Sequence, residues 1–160
     1  MHTLYMKQKV FSLRGRFSIQ DQQEQDVYLV EGSFMKLPKT FSISTVEGEE
    51  VAVITKKMLS LLPKFFIEVD GETLTIEKSF TFFKDRYTID AADLEIDGDW
   101  WDMDFEIKRH GEVVGSVEKK WFTFGDSYEI KVFDPDIEKI LIALVVAIDC
   151  VKEDEESSSS

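Results

Sequence analysis

The chain has 160 residues, enough for one domain with a sizeable core. Its formal charge is −13, from 32 acidic against 19 basic residues. That balance disfavours nucleic acid as a partner and casual adsorption to anionic membranes, because both are bound through cations. The apolar fraction is an ordinary 43%, but 13 Phe, 4 Tyr and 3 Trp, with many Val and Ile, bias the chain towards strands.

The first residues, Met1-His2-Thr3-Leu4-Tyr5-Met6-Lys7, lack the apolar stretch of a secretory signal. Beyond them an aromatic-x-Ile triplet recurs: Phe17-Ser18-Ile19, Phe41-Ser42-Ile43, Phe65-Phe66-Ile67, Tyr87-Thr88-Ile89, Phe105-Glu106-Ile107 and Tyr128-Glu129-Ile130. Successive spacings are 24, 24, 22, 18 and 23 residues, the mark of an internal repeat. Within a triplet, period two puts the aromatic and the Ile on one face of a strand.

A second signal precedes most triplets: Phe11-Ser12-Leu13, Met35-Lys36-Leu37, Leu59-Ser60-Leu61, Phe80-Thr81-Phe82 and Phe122-Thr123-Phe124. The unit around Trp100 and Trp101 does not match it cleanly. Arg14-Gly15-Arg16, Leu62-Pro63-Lys64, Lys84-Asp85-Arg86 and Gly125-Asp126-Ser127 have turn chemistry inside the units. Residues 21–26, Glu47-Gly48-Glu49-Glu50, Asp70-Gly71, residues 90–93 and His110-Gly111 separate one unit from the next. Upstream segments alternate, as in Val51 and Val53 beside Thr55, and Leu74 and Ile76 beside Lys78. Six hairpin-like units predict about twelve antiparallel strands, a number that usually closes into a barrel and so removes exposed edges.

The last predicted element is a helix over residues 137–151. Asp134-Pro135 supplies an N-cap followed by proline at the first helical position, with Asp136 and Glu138 in the first turn. Residues 140–148 are all aliphatic, so the helix has no polar face and must be buried all round or lie in lipid. About fifteen residues span roughly 22 Å, the height of a small barrel and less than the roughly twenty residues a membrane span needs. The helix is therefore expected to thread the barrel as a hydrophobic central helix, which leaves no room for an internal ligand. Residues 1–151 form one domain on this reading, and 152–160 an acidic, serine-rich, disordered tail. The one cysteine, Cys150, sits in the apolar segment and suits a reducing, cytoplasmic setting.

These residues resemble the LURP-one-related family, whose fold is shared with the tubby C-terminal domain and extends to phospholipid scramblases. The matching stretches are residues 7–12, 82–89, 101–107, 119–128 and 143–149, including Phe82-Phe83-Lys84-Asp85-Arg86-Tyr87 and Lys119-Lys120-Trp121-Phe122. The resemblance covers residues 3–151 and is to the short bacterial members. It implies a twelve-stranded barrel around a central C-terminal helix, matching the strand count reached from the repeat. Of function it implies little: plant members are associated with pathogen defence, tubby domains with phosphoinositide head groups, scramblases with lipid movement. The tubby lipid-binding pattern of lysine and arginine has no residue-by-residue match here, so no site is carried over.

Reactive constellations are thin. Asp97-Gly98-Asp99-Trp100-Trp101-Asp102-Met103-Asp104 could suggest a sugar site, with carboxylates as acid and base and tryptophans stacking on a ring. The same residues also read as an exposed strand face with one packed tryptophan. His2 and His110 have no metal-ligand spacing, Cys150 has no local His or Asn, and no phosphate loop is present. No catalytic residue, metal or cofactor is assigned. The basic residues are patterned: Lys9, Lys57, Lys78 and Lys120 each lie two residues before the second signal. With Arg14 and Arg16, and with Lys7, Lys56, Lys64 and Lys119 nearby, they could form a cationic rim for a phosphorylated head group. Alternatively, they mark outward strand faces that guard against edge pairing. The sequence thus predicts a non-enzymatic, cytoplasmic binding or scaffold domain, not transmembrane. The sequence identifies no partner; the candidates are a protein or, as the alternative, a phosphorylated lipid or other polyanion held by the basic rim.

Overall fold

In a computed structural model that describes residues 1–7, 16–33, 40–57, 64–79, 86–91, 93–122 and 125–158, every aromatic-x-Ile triplet lies on a strand. The strands run β1 (His2–Lys7), β2 (Arg16–Gln20), β3 (Asp26–Ser33), β4 (Thr40–Thr45), β5 (Glu50–Lys56) and β6 (Lys64–Val69). They continue as β7 (Glu72–Ser79), β8 (Arg86–Asp90), β9 (Leu94–Asp99), β10 (Asp104–Arg109), β11 (Glu112–Phe122) and β12 (Gly125–Val132). The triplets occupy the even-numbered strands. A 3-10 turn (Pro135–Ile137), capped by the Asp134 carboxylate on Asp136 N–H at 3.0 Å, leads into helix α1 (Glu138–Ser158).

All neighbouring pairs are antiparallel, in the order β8-β7-β6-β5-β4-β3-β2-β1-β12-β11-β10-β9. Pairing of β1 with β12 brings the two halves of the chain together, with Leu4 opposite Ile130. One face of the sheet is apolar. The even strands give it Phe17, Ile19, Phe41, Ile43, Phe65, Ile67, Phe105, Ile107, Tyr128 and Ile130, all buried. The odd strands add Leu4, Met6, Val30, Ile54, Leu74, Ile76 and Val117.

This face wraps α1. Ile137, every residue over 140–148, and Cys150 and Val151 are buried, as a helix apolar on all sides requires. Apolar packing comes from β5, β6 and β12. At Gly115 on β11 an added Cβ would stand 2.6 Å from Leu141 Cδ2 and 3.1 Å from Ile137 Cδ1, so glycine there lets strand and helix approach. Polar contacts reach α1 from β1, β3, β7 and β12. His2 of β1 and Tyr28 of β3 each bond a Glu138 oxygen, Tyr128 of β12 donates to Asp149 at 2.9 Å, and Lys78 of β7 holds Glu155 at 3.0 Å.

Several expectations need correction. The sheet is not a hydrogen-bonded closed barrel: among the described residues no ladder joins β8 to β9. These strands are consecutive, and Leu94 N–H donates to Ala91 C=O at 3.1 Å. The edge strand β9 carries Glu95, Asp97 and Asp99, charges that discourage a foreign strand from pairing. The helix does not stop at Val151; it continues to Ser158, through most of the segment expected to be a disordered tail. Lys and Glu are good helix formers, and Lys78 ties Glu155 down. Gly125, Asp126 and Ser127 are not a turn but the start of β12, paired with Phe122, Trp121 and Lys120. On β5 Ala52 and Ile54 are buried, and Val51 and Val53 on the other face are half-buried. The signals at 11–13, 35–37, 59–61 and 80–82, and most of the turns beside them, lie outside the described residues. No helix among the described residues is long and apolar enough to cross a membrane.

Leu144 is fully buried in the middle of α1. Leu144→Ala should cost about 3 kcal/mol in urea unfolding, from lost transfer energy and a cavity that the sheet cannot close. A loss below about 1 kcal/mol would mean the site is not enclosed.

Candidate functional site

Antiparallel register gives the sheet two ends of opposite character. At the root end, where α1 begins, the turns carry Asp21, Glu24, Glu47, Glu49, Asp70 and Glu72. At the tip end, where α1 finishes, the strand ends carry Lys7, Arg16, Lys56, Lys64, Lys78 and Lys120, with Lys57 next to β5. Carboxylates stand at the tip as well: Glu31 opposite Arg16, Glu77 opposite Lys64, Glu118 beside Lys120, Glu155 on α1, and Asp99, Asp102 and Asp104 in the β9–β10 turn. A strongly acidic chain thus keeps many of its cations at one end.

Four of the six candidate cations can be placed; Lys9 and Arg14 lie outside the described residues. Arg16 faces outwards and binds Glu31 Oε1 through Nη2 at 2.6 Å and Nε at 3.1 Å. Lys120, also outward, binds Glu118 at 2.9 Å. That hydrogen bond lowers the Glu118 carboxyl and raises the Lys120 ammonium from their ordinary values. Lys57 is exposed, and its backbone N–H donates to Lys64 C=O at 2.8 Å. Lys78 differs. It follows Leu74 and Ile76 on the helix-facing side of β7, its side chain is only 13% exposed, and it grips Glu155. The four placed candidates therefore share one end but not one face.

The acidic-aromatic stretch is engaged in local structure. Lys108 Nζ lies 2.8 Å from Asp97 and holds that carboxyl below its usual range. Asp99 accepts the Asp102 N–H at 3.1 Å and so shapes the turn. Gly98, at φ +117, sits where a Cβ would meet Asp104 C=O at 2.7 Å. Trp100 and Trp101 pack edge to face at 5.7 Å against the core instead of presenting a flat stacking platform. Among the described residues no three His, Cys, Asp or Glu side chains converge as metal ligands. A shallow groove of about 340 Å³ on β5–β7 is lined by Glu50, Glu68, Asp70 and Glu72, the wrong charge for an anion.

Three features escaped the sequence reading. Asp149, 2% exposed within the apolar helix, accepts from buried Tyr128. Glu138 joins His2 to Tyr28 across the root end. Trp121 is 77% exposed on β11 beside Lys120. The first had a signal: an Asp interrupts an aliphatic run, and a Tyr stands where most triplets have Phe.

A single antiparallel sheet wound around a C-terminal apolar helix defines the class: a mainly β domain whose core is a helix. The model of the LURP-one-related family matches residues 2–149, and the chain belongs to that family. It is 35% identical over 160 residues to the uncharacterised protein YxjI of Bacillus subtilis (strain 168), with 99% of each chain covered. Its fold is similar to the X-ray structure of the Arabidopsis thaliana protein AT5G01750, with TM-score 0.56, 14% identity, and 92% and 91% of the two chains covered. That likeness concerns the fold alone. Neither the family nor the bacterial relative indicates a catalytic class.

The Tyr28–Glu138 contact yields a pH signature. Burial, then the hydrogen bond and charge of Glu138, raise the Tyr28 phenol well above its ordinary value. The unfolded chain loses this proton near pH 10 while the folded state keeps it. Tyr28 therefore stabilises fully below about pH 10, and its contribution falls as pH rises beyond, by up to about 1 kcal/mol per pH unit. Tyr28→Phe should flatten the fall in urea stability between about pH 10 and about pH 11.5. Identical slopes in both proteins would refute the contact.

Proposed function

We propose that this chain is a non-enzymatic binding or scaffold domain of the LURP-one-related type that meets its partner with its outer surface. One observation carries the reading: the space a β domain would use for a ligand holds α1, buried along its apolar length. The reactive side chains seen so far serve turns, ion pairs or the core, which leaves the exterior for recognition. A lone buried thiol at Cys150 is consistent with a reducing, cytoplasmic setting. Titration of the folded protein with a fatty acid should give no saturable uptake. Stoichiometric uptake would contradict the filled interior.

A second reading is favoured by the cations at the tip end: recognition of a phosphorylated lipid or other polyanion. Arg16, Lys57 and Lys120 face outwards there, and the exposed ion pairs of Arg16 and Lys120 are weak enough for a stronger anion to redirect them. The protein should float with phosphatidylglycerol vesicles at about 0.05 M salt and be released at about 0.5 M. Arg16→Gln, Lys57→Gln and Lys120→Gln together should weaken that binding at least about tenfold. No flotation at low salt would end the lipid version.

A further inference from the structure

We infer that the tip end holds an anion site on the helix-facing side of the sheet, occupied by the chain's own Glu155 carboxylate, for which a multiply charged phosphate competes. The inference rests on the polyanion reading and moves its site from the outer rim to the inner mouth.

The argument starts from strand alternation. Lys56 continues the face of Ala52 and Ile54 on β5. Lys78 continues that of Leu74 and Ile76 on β7. Lys119 lies on the side of Gly115 and Val117 on β11, opposite Tyr128 in register, but is exposed to solvent. Packing does not call for lysine at the end of an apolar face; a charge placed there is costly unless an anion meets it. At this level α1 changes from Val151 to Lys152-Glu153-Asp154-Glu155-Glu156. Glu155 presents both carboxylate oxygens to Lys78 Nζ, at 3.0 and 3.2 Å, with the lysine more enclosed than the glutamate. Tyr128, opposite Lys119, holds Asp149 and so fixes the depth of the helix.

Glu155 is thus a built-in stand-in for ligand: a two-oxygen anion already seated on the inward lysine. Lysine ammoniums are compact charges with rotatable donors and accept phosphate as readily as carboxylate. Inward lysines on more than one strand suit an anion with several charges better than a single phosphate. Because one lysine serves both anions, binding of the outside ligand and seating of Glu155 oppose each other reciprocally.

The test uses the full chain with two probes, inorganic tripolyphosphate by calorimetry and phosphatidylglycerol vesicles by flotation. The variant Glu153→Gln/Glu155→Gln is compared with Glu47→Gln/Glu49→Gln, which makes the same charge change at the root end. The helix variant should bind at least one probe roughly five- to tenfold more tightly than the wild type and the control. Lys78→Met, whose apolar chain suits the same space, should cancel the gain. Tightening with tripolyphosphate identifies a soluble phosphate, and tightening with vesicles alone a lipid head group; both support the site. Equal binding by the two double variants refutes it, whether or not Lys78→Met folds, as does a gain that survives Lys78→Met. In either case the outer-rim reading stands if the wild type binds. No binding of either probe by any form removes both.

Discussion

The structure depends on the need to bury a helix that has no polar side. Each aliphatic residue of α1 that leaves water contributes roughly 1.5–3 kcal/mol, and those over 140–148 are all enclosed. A two-layer arrangement would cover only one flank. A sheet long enough to curl round satisfies every flank, and the inward triplets of the even strands supply its lining. The unladdered seam between β8 and β9 is tolerable on the same physics. Backbone groups at an edge can be solvated by water, whereas exposed Leu and Ile chains cannot be satisfied there.

Apolar contact is non-directional and would let the helix slide or turn. Polar contacts set its position: Glu138 at the root, Asp149 deep in the core, and Glu155 at the tip, held by partners on four strands. Removing one partner of such a buried group is more harmful than the pair is stabilising, because a desolvated carboxylate is left behind. These contacts are best regarded as choosing one packing among several that apolar burial alone permits.

Much of this was legible in the residues. The triplet repeat located every even strand, and the aliphatic run located the helix, because both patterns are imposed by burial. Closure was not legible, since whether the last two strands pair depends on backbone geometry that leaves no mark on composition. The helix end was missed for a related reason: a polar run reads as tail unless the lysine that receives it, here Lys78 some 77 residues away, is known to face inwards. The spacing of the lysines did not reveal that Lys78 turns inwards while Arg16 and Lys120 turn out.

On the proposed reading, with the interior occupied, the charge arrangement of the outer surface carries recognition. An acidic root and a cation-bearing tip would orient the domain against a charged partner before any close contact forms. That account presumes an enclosed helix, and Cys150, the chain's one cysteine, lies within it at 5% exposure. Reaction of the native protein with a thiol reagent is the most direct measurement. Enclosure predicts labelling no faster than unfolding, with one thiol released in denaturant. Complete labelling of the folded protein within seconds would contradict it.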